Sequence, residues 1–279
     1  MYLVDGRSRI VADFICGPFY GRGMSPAQPN PFLPLDGESF SKSEIDRSGK
    51  LLREIRIAMR ERGSNAIEVI LPVGDDVAKA LRAVTWWRLA HARPLSNVAA
   101  NLRYHVEKEH GHVDGRIDVG QRLKRLPTMI GKLEREPTMK LSRMADVGGV
   151  RAKLPDLATV HAVSRRLAKT WTVVKTRDYI AEPKSSGYRA IHHIVRRHSM
   201  LVEVQLRTVL QDAWANQVEH DGRLRGAGLK FGEGESAIHD YYRAISVAFA
   251  ALDRGDPIEG KIEDDLVETF GKARRLLGR

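Results

Sequence analysis

Within LVEVQLRTVLQDAWANQVEH, residues 201–220, a strand period sends Val202, Val204 and Leu206 to one side and Glu203, Gln205 and Arg207 to the other. An acid, an amide and a base on one face of a β-branched-rich strand are either the floor of a site or an ordinary solvated face. Three other segments concentrate similar residue types. RLKRLPTMIGKLER holds Arg122, Lys124, Arg125, Lys132 and Arg135; cations beside a helix start suit phosphates, through charge and free backbone N–H groups together. Alone it reads equally as an exposed basic helix. ADVGGVRAK sets Asp146 before paired glycines and Arg151, a pattern of close approach by a ligand or another backbone, or of a simple bulge. RDYIAEPKSSGYRAIHHIV offers Lys184, Ser185, Ser186 and Gly187 as a flexible basic loop delivering Tyr188 and His192 to one strand face. A ring so placed can stack on a base while Lys184 and Arg189 meet phosphate; a half-buried tyrosine beside a core histidine fits the same residues.

The elements that must carry these residues follow from spacing. Residues 1–40 hold five of the twelve prolines and predict an irregular arm. Serine caps and apolar Ile45, Leu51, Leu52, Ile55 and Met59 predict an amphipathic helix that stops at Gly63. A second helix is expected over residues 75–92, ending before Pro94, and a third from Ser96. From residue 120 a basic loop enters a helix, MADVGGVRAKL reads as a short strand and PDLATVHAVSRRLAK as a helix. TWTVVKTRDYI is then a strand, and YRAIHHIVRRHSMLVEVQLRT two strands joined by a tight turn. Thr208 and Gln211 form a capping box, with Leu210, Ala213, Trp214, Gln217 and Val218 on the buried face of the next helix. Two more helices are expected over 238–252 and 266–277. Strands alternating with helices predict an α/β or α+β fold, a β-sheet with helices packed on it. The regions are 1–40 (irregular arm), 41–115 (helical), 116–225 (core) and 226–279 (C-terminal helices).

Composition narrows the partners. The 279 residues are 42% apolar, with no apolar run long enough to span a membrane. The single cysteine, Cys16, excludes an internal disulfide and a cysteine-ligated zinc site, so a cytoplasmic location is expected. The net charge of +11 is uneven: residues 81–200 carry 24 bases and 10 acids. Such a field implies an anionic partner, a polyphosphate nucleotide or a nucleic acid backbone, or else a solvated basic face.

Taken in order, RLKRLPTMIGKL, ADVGGVR, RDYIAEPKSSGYRAIH and EVQLRTVLQDAWANQVEH resemble the synthetase domain of the RelA/SpoT family of alarmone synthetases. The resemblance implies a nucleotidyltransferase-like mixed sheet. It also implies transfer of the β,γ-diphosphate of ATP to a ribose 3′-hydroxyl, with Mg²⁺ as cofactor and AMP released. By that resemblance Asp146 binds Mg²⁺ and Glu203 activates the attacking hydroxyl, both standing as metal-site candidates. Arg122 and Arg151 would sandwich adenine, and Lys124, Lys132 and Arg135 would neutralise the triphosphate. Tyr188 would stack on the acceptor base, with Lys184, His192, Gln205 and Arg207 lining the acceptor side.

Two departures stand out: Gly148 where the family usually has alanine, and Ser186 where many members have an asparagine that helps read guanine. No hydrolase domain is recognisable; the HD pair at His239 and Asp240 stands alone. The helical region, with IDRSGKLLRE and WWRLAHARPLSNV, is similar to the toxic small synthetases of the family. The acceptor expected is GDP or GTP; the alternative is the 3′ end of tRNA, in a toxin with a protein antitoxin. A silent nucleotide- or RNA-binding relative is the third reading, opposed by the presence of both Asp146 and Glu203. A homo-oligomer stays open.

Overall fold

A computed structural model describes residues 33–61, 74–110, 118–224, 229 and 234–278. Most of the expected N-terminal arm, Cys16 and the stop at Gly63 lie outside the described residues. No helix among the described residues is long and apolar enough to cross a membrane. The chain divides into two compact units that interleave in sequence: residues 1–96, 122–149 and 198–202 in one, and 97–121, 150–197 and 203–279 in the other.

In the first unit, Ser41 starts helix α1 (Lys42–Glu61). Its N–H donates to Glu44 Oε2 at 2.8 Å while Glu44 N–H donates back to Ser41 Oγ at 3.3 Å, a reciprocal capping box. Ile45, Leu52 and Met59 recur every seven residues and put one stripe of α1 into the core. Helix α2 (Asp75–Ala90) and helix α4 (Leu126–Arg135) pack against α1. Leu81, Val84, Met129, Ile130 and Leu141 join that core, each contributing roughly 1.5–3 kcal/mol through burial. Helix α3 (Ala92–His110) starts at Ala92 rather than at Ser96. Pro94 falls in its first turn, where a missing N–H breaks no intrahelical bond.

Most of the sheet belongs to the second unit. Strands β1 (Asp118–Leu123), β2 (Gly148–Leu154), β3 (Val173–Asp178), β4 (Ile191–Arg197) and β5 (Met200–Thr208) form one mixed sheet in the order β1-β2-β5-β4-β3. The strand β1 takes Arg122 out of the loop expected there. Gly148 and Gly149 open β2 rather than interrupting it. Strands β3 and β4 are antiparallel, with Arg177 opposite His192 and Thr176 opposite His193. The turn from β4 to β5 is two residues long, and both, His198 and Ser199, have positive φ, the backbone twist that suits a tight hairpin. Helix α5 (Leu157–Thr170) begins on Asp156, whose carboxylate accepts from Thr159 N–H at 2.7 Å, so Pro155 precedes the helix.

The expected capping box forms: Thr208 N–H donates to Gln211 Oε1 at 3.2 Å and Gln211 N–H to Thr208 Oγ1 at 3.1 Å. It opens helix α6 (Val209–Leu224), followed by α7 (Ser236–Arg254) and α8 (Lys261–Leu277). Trp214 and Val218 are buried, but Ala213 is exposed and Gln211 and Asp212 are buried in its place. Polar partners at both of those side chains compensate their removal from water.

Candidate active site

The first unit gathers two of the expected cations around one expected carboxylate. Lys124 Nζ donates to Asp146 Oδ2 and Lys132 Nζ to Asp146 Oδ1, each at 2.8 Å. Backbone geometry sets this up. Lys124 N–H donates to Val147 O at 2.8 Å and its carbonyl accepts from Arg88 Nε at 2.9 Å, so the residue is gripped on both sides. Lys132 comes from α4, one turn before its end, and Asp146 from a 3-10 turn (Ala145–Val147) just ahead of β2. Burial works to raise the Asp146 carboxyl, but the two ammonium groups outweigh it and hold the group below the usual carboxylate range. Arg122 and Arg135 are exposed, on β1 and at the last position of α4. At Gly148, an added Cβ would come no closer than 3.5 Å to Leu95 and 3.7 Å to His91. That is ordinary contact, so the family's alanine would fit.

The second unit holds a closed ring of five side chains. Val204 and Leu206 are fully buried and fix the strand, turning Glu203, Gln205 and Arg207 to the opposite face. Arg207 Nη2 donates to the Tyr188 hydroxyl at 2.7 Å and to Gln205 Oε1 at 2.8 Å. Gln205 Nε2 donates to Glu203 Oε2 at 2.6 Å, and His192 Nδ1 lies 3.0 Å from Glu203 Oε1. Tyr188 Oη, 2.6 Å from His192 Nε2, completes the circle. One assignment of hydrogens satisfies every link: the tyrosine donates to Nε2, and neutral His192 donates from Nδ1 to the glutamate. Burial raises the Tyr188 phenol above its ordinary pKa, against the pull of Arg207, so it keeps the proton this pattern needs.

Tyr188 precedes β4 rather than standing on it, and its loop is pinned instead of flexible. Asp178 Oδ1 accepts from Ile180 N–H and Ala181 N–H at 2.8 and 3.0 Å, turning the chain out of β3. Gly187 has φ +91, and a side chain there would meet Ser246 Cβ at 3.0 Å and the Arg243 backbone at 3.3 Å. The Ser246 hydroxyl instead donates to Gly187 O, and Arg189 Nε donates to Ser246 Oγ at 3.2 Å. Lys184 Nζ sits 5.0 Å from the Tyr188 ring centre and 4.6 Å from that of Tyr179, with Arg207 also 5.0 Å from the Tyr188 ring.

Arg151 of β2 is held by Asp212 at 3.1 Å and by Asn216 at 3.2 Å. Sequence reasoning passed over Asp212, Asn216, Tyr179 and Ser246. The helical periodicity put Asp212 off the buried face, and only its five-residue spacing from Arg207 signals a partner.

Behind the ring, His193 is 1% exposed. It bridges Ser164 Oγ and Thr176 Oγ1, each at 2.9 Å. Burial, helped by His192, pushes it down to about 4. Among the described residues no group of three or more His, Cys, Asp or Glu could hold a metal ion.

Residues 121–226 match the sequence pattern of the region found in RelA / SpoT proteins. All twelve candidate residues fall inside this span. The GTP pyrophosphokinase YjbM of Bacillus subtilis is 32% identical over 138 residues, covering 45% of this chain and 63% of the relative. The GTP pyrophosphokinase YwaC of the same organism is 32% identical over 114 residues, covering 36% and 54%. The chain thus spans less than two thirds of either relative. Among solved structures, the small alarmone synthetase 1 of Bacillus subtilis bound to its product pppGpp superposes with a TM-score of 0.52 at 24% identity, over 61% of this chain and 94% of that one. A GTP pyrophosphokinase family protein of Streptococcus pneumoniae gives 0.52 at 23%, over 67% and 96%. At these identities the structures establish a shared fold. Residues 121–226 are thus similar to the region found in RelA / SpoT proteins, in a fold that small alarmone synthetases share.

Proposed function

We propose that this protein is an ATP-dependent pyrophosphokinase that transfers the β,γ-diphosphate of ATP to the 3′-hydroxyl of GDP or GTP and releases AMP. The observation that carries the reading is the Glu203 carboxylate, held on both oxygens by His192 and Gln205 inside a RelA/SpoT-family region. In the proposed reaction the 3′-hydroxyl oxygen bonds to the β-phosphorus. The bond from that phosphorus to the α,β-bridging oxygen breaks, that oxygen leaving on AMP, and Glu203 takes the hydroxyl proton. Diphosphoryl transfer develops charge on phosphate oxygens, so positioning and electrostatics dominate over covalent chemistry. Lys124 and Lys132 supply that charge, with Arg122, Arg135 and Arg151 the further donor-side candidates. Tyr188 and Lys184 offer the acceptor base a ring and a cation, with Arg207 setting the ring's place.

Mg²⁺ suits this set. It is commonly held by one or two carboxylates, with substrate phosphates and water as the other ligands. Asp146 is an ionised carboxylate with one bond on each oxygen, which leaves acceptor capacity for a cation. When bound there, the ion would offset charge on the transferred diphosphate.

The test is incubation with γ-labelled ATP and Mg²⁺, offering GDP, GTP, ATP and bulk tRNA separately. Label on GDP or GTP is the expected result. Label only on tRNA moves the acceptor to RNA and the biology to a toxin, and no transfer to any of them overturns the enzyme.

A further inference from the structure

Asp212 is a buried acid that the reaction as set out does not use. It lies in the first turn of α6, 6% exposed. Its Oδ1 takes Arg151 Nη1 at 3.1 Å and Arg207 Nη1 at 3.3 Å, and its Oδ2 takes Asn216 Nδ2 at 2.9 Å. Asn216 Oδ1 in turn accepts from Arg151 Nη1 at 3.2 Å. One oxygen is therefore shared by two guanidinium groups in different settings. The Arg151 side chain is 42% exposed on β2, while that of Arg207 is 8% exposed on β5 and closes the ring at Tyr188 and Gln205.

We propose that Asp212 is a positioning residue that links the donor and acceptor arginines, so that ATP and the acceptor nucleotide bind with mutual dependence. This rests on the pyrophosphokinase reading, in which Arg151 serves ATP and Arg207 serves the acceptor. A buried carboxylate is tolerated only when paired, and here it is paired twice. Arg207 has a buried Nε with no hydrogen-bond partner, and its ion pair with Asp212 helps fix the angle at which it reaches Tyr188. Both arginines draw on the same oxygen, so moving one changes the hold on the other. Reciprocity then follows from thermodynamics: whatever ATP does to acceptor affinity, the acceptor does to ATP affinity. Asn216 bonds Arg151 and the Asp212 Oδ2 rather than the shared Oδ1, so its influence on Arg207 runs only through the acid.

The experiment is calorimetric binding of α,β-methylene-ATP and of GDP, each alone and in the presence of the other, to wild-type protein, Asp212→Asn and Asn216→Ala, with melting temperatures in parallel. Wild type is expected to bind the second ligand at least threefold more tightly, or more weakly, than the first-come ligand-free protein does. Asp212→Asn should weaken both ligands about tenfold and abolish the mutual effect, while Asn216→Ala weakens the ATP analogue about threefold and leaves GDP unchanged. Should Asp212→Asn not fold, Arg151→Ala reads the link from its exposed end, and GDP affinity must then shift at least threefold. The proposal is overturned if a folded Asp212→Asn variant weakens one ligand only or neither, or if Asn216→Ala weakens both equally. It is equally overturned if wild type binds the two independently, or if GDP affinity ignores Arg151→Ala. Wild type that binds neither ligand and transfers no label overturns the pyrophosphokinase reading as well; wild type that transfers label but shows no coupling overturns the link alone.

Discussion

The two polar clusters are built on opposite principles. Around Asp146, two lysines grip one carboxylate; the three residues come from within 22 positions of each other, and the cluster has an excess of positive charge. Around Glu203, five side chains of mixed character close a ring in which each atom's direction matters. A charge cluster tolerates shifts of orientation because Coulomb attraction depends on distance, whereas a ring of hydrogen bonds weakens steeply with angle. The first arrangement suits polyphosphate, where many poses are equivalent; the second suits a hydroxyl that must present one proton in one direction.

That contrast can be broken by substitution. Glu203→Gln keeps shape but removes the base and turns one acceptor oxygen into a donor, so kcat should fall by about 10⁴-fold while ATP-analogue binding stays near wild type. A variant retaining most of its rate takes Glu203 out of the chemistry. Asp146→Asn should cost about 10³-fold in kcat. More Mg²⁺ should recover part of that loss, and a rate indifferent to Mg²⁺ would argue against the assigned role.

Next in size is a stability effect under the ring. Folded His193 holds out against protonation down to about 4, whereas an unfolded histidine titrates near 6.5. The unfolded chain therefore binds more protons between those values. Stability present above about pH 6.5 falls by about 3 kcal/mol as pH drops through 4. Urea titrations at several pH values should show that slope flattened in His193→Gln, and equal slopes in both proteins would assign it elsewhere. Tyr188→Ala should raise the acceptor KM about tenfold through lost stacking, with a much smaller change in the KM for ATP; equal changes would make the tyrosine a purely structural residue. The smallest effect is expected from Ser246→Ala, about threefold on the acceptor KM, since one hydroxyl contact to the Gly187 carbonyl is worth only about 1 kcal/mol.

How much of this was legible depended on the range of each interaction. The alternation of Val202, Val204 and Leu206 with Glu203, Gln205 and Arg207, the capping box at Thr208 and the helices were readable because each is settled within one or two turns of chain. Partners were not. Asp212 belongs to a helix whose apolar spacing favours Ala213 for the interior, and only the arrival of Arg151 and Arg207 from separate strands makes the acid the buried residue. The loop at 179–190 reads as flexible from its lysine, serines and glycine, yet Ser246, nearly sixty residues later, pins it. The spacing sets Pro94 between two helices because proline reads as a break, whereas a start at Ala92 puts it in the first turn.

The brace on that loop also bears on how far along the chain the proposed activity depends. Helix α7 lies beyond the span 121–226 that carries the family pattern. Yet Ser246 secures Gly187, Asp253 accepts from Thr208 and Gln211 at the α6 cap, and the Tyr242 carbonyl accepts from Trp214 Nε1. Under the proposed reaction, divergence in this helix would retune acceptor choice while every signature residue stays unchanged, and engineers seeking altered specificity would have a place to work away from Glu203 and Asp146.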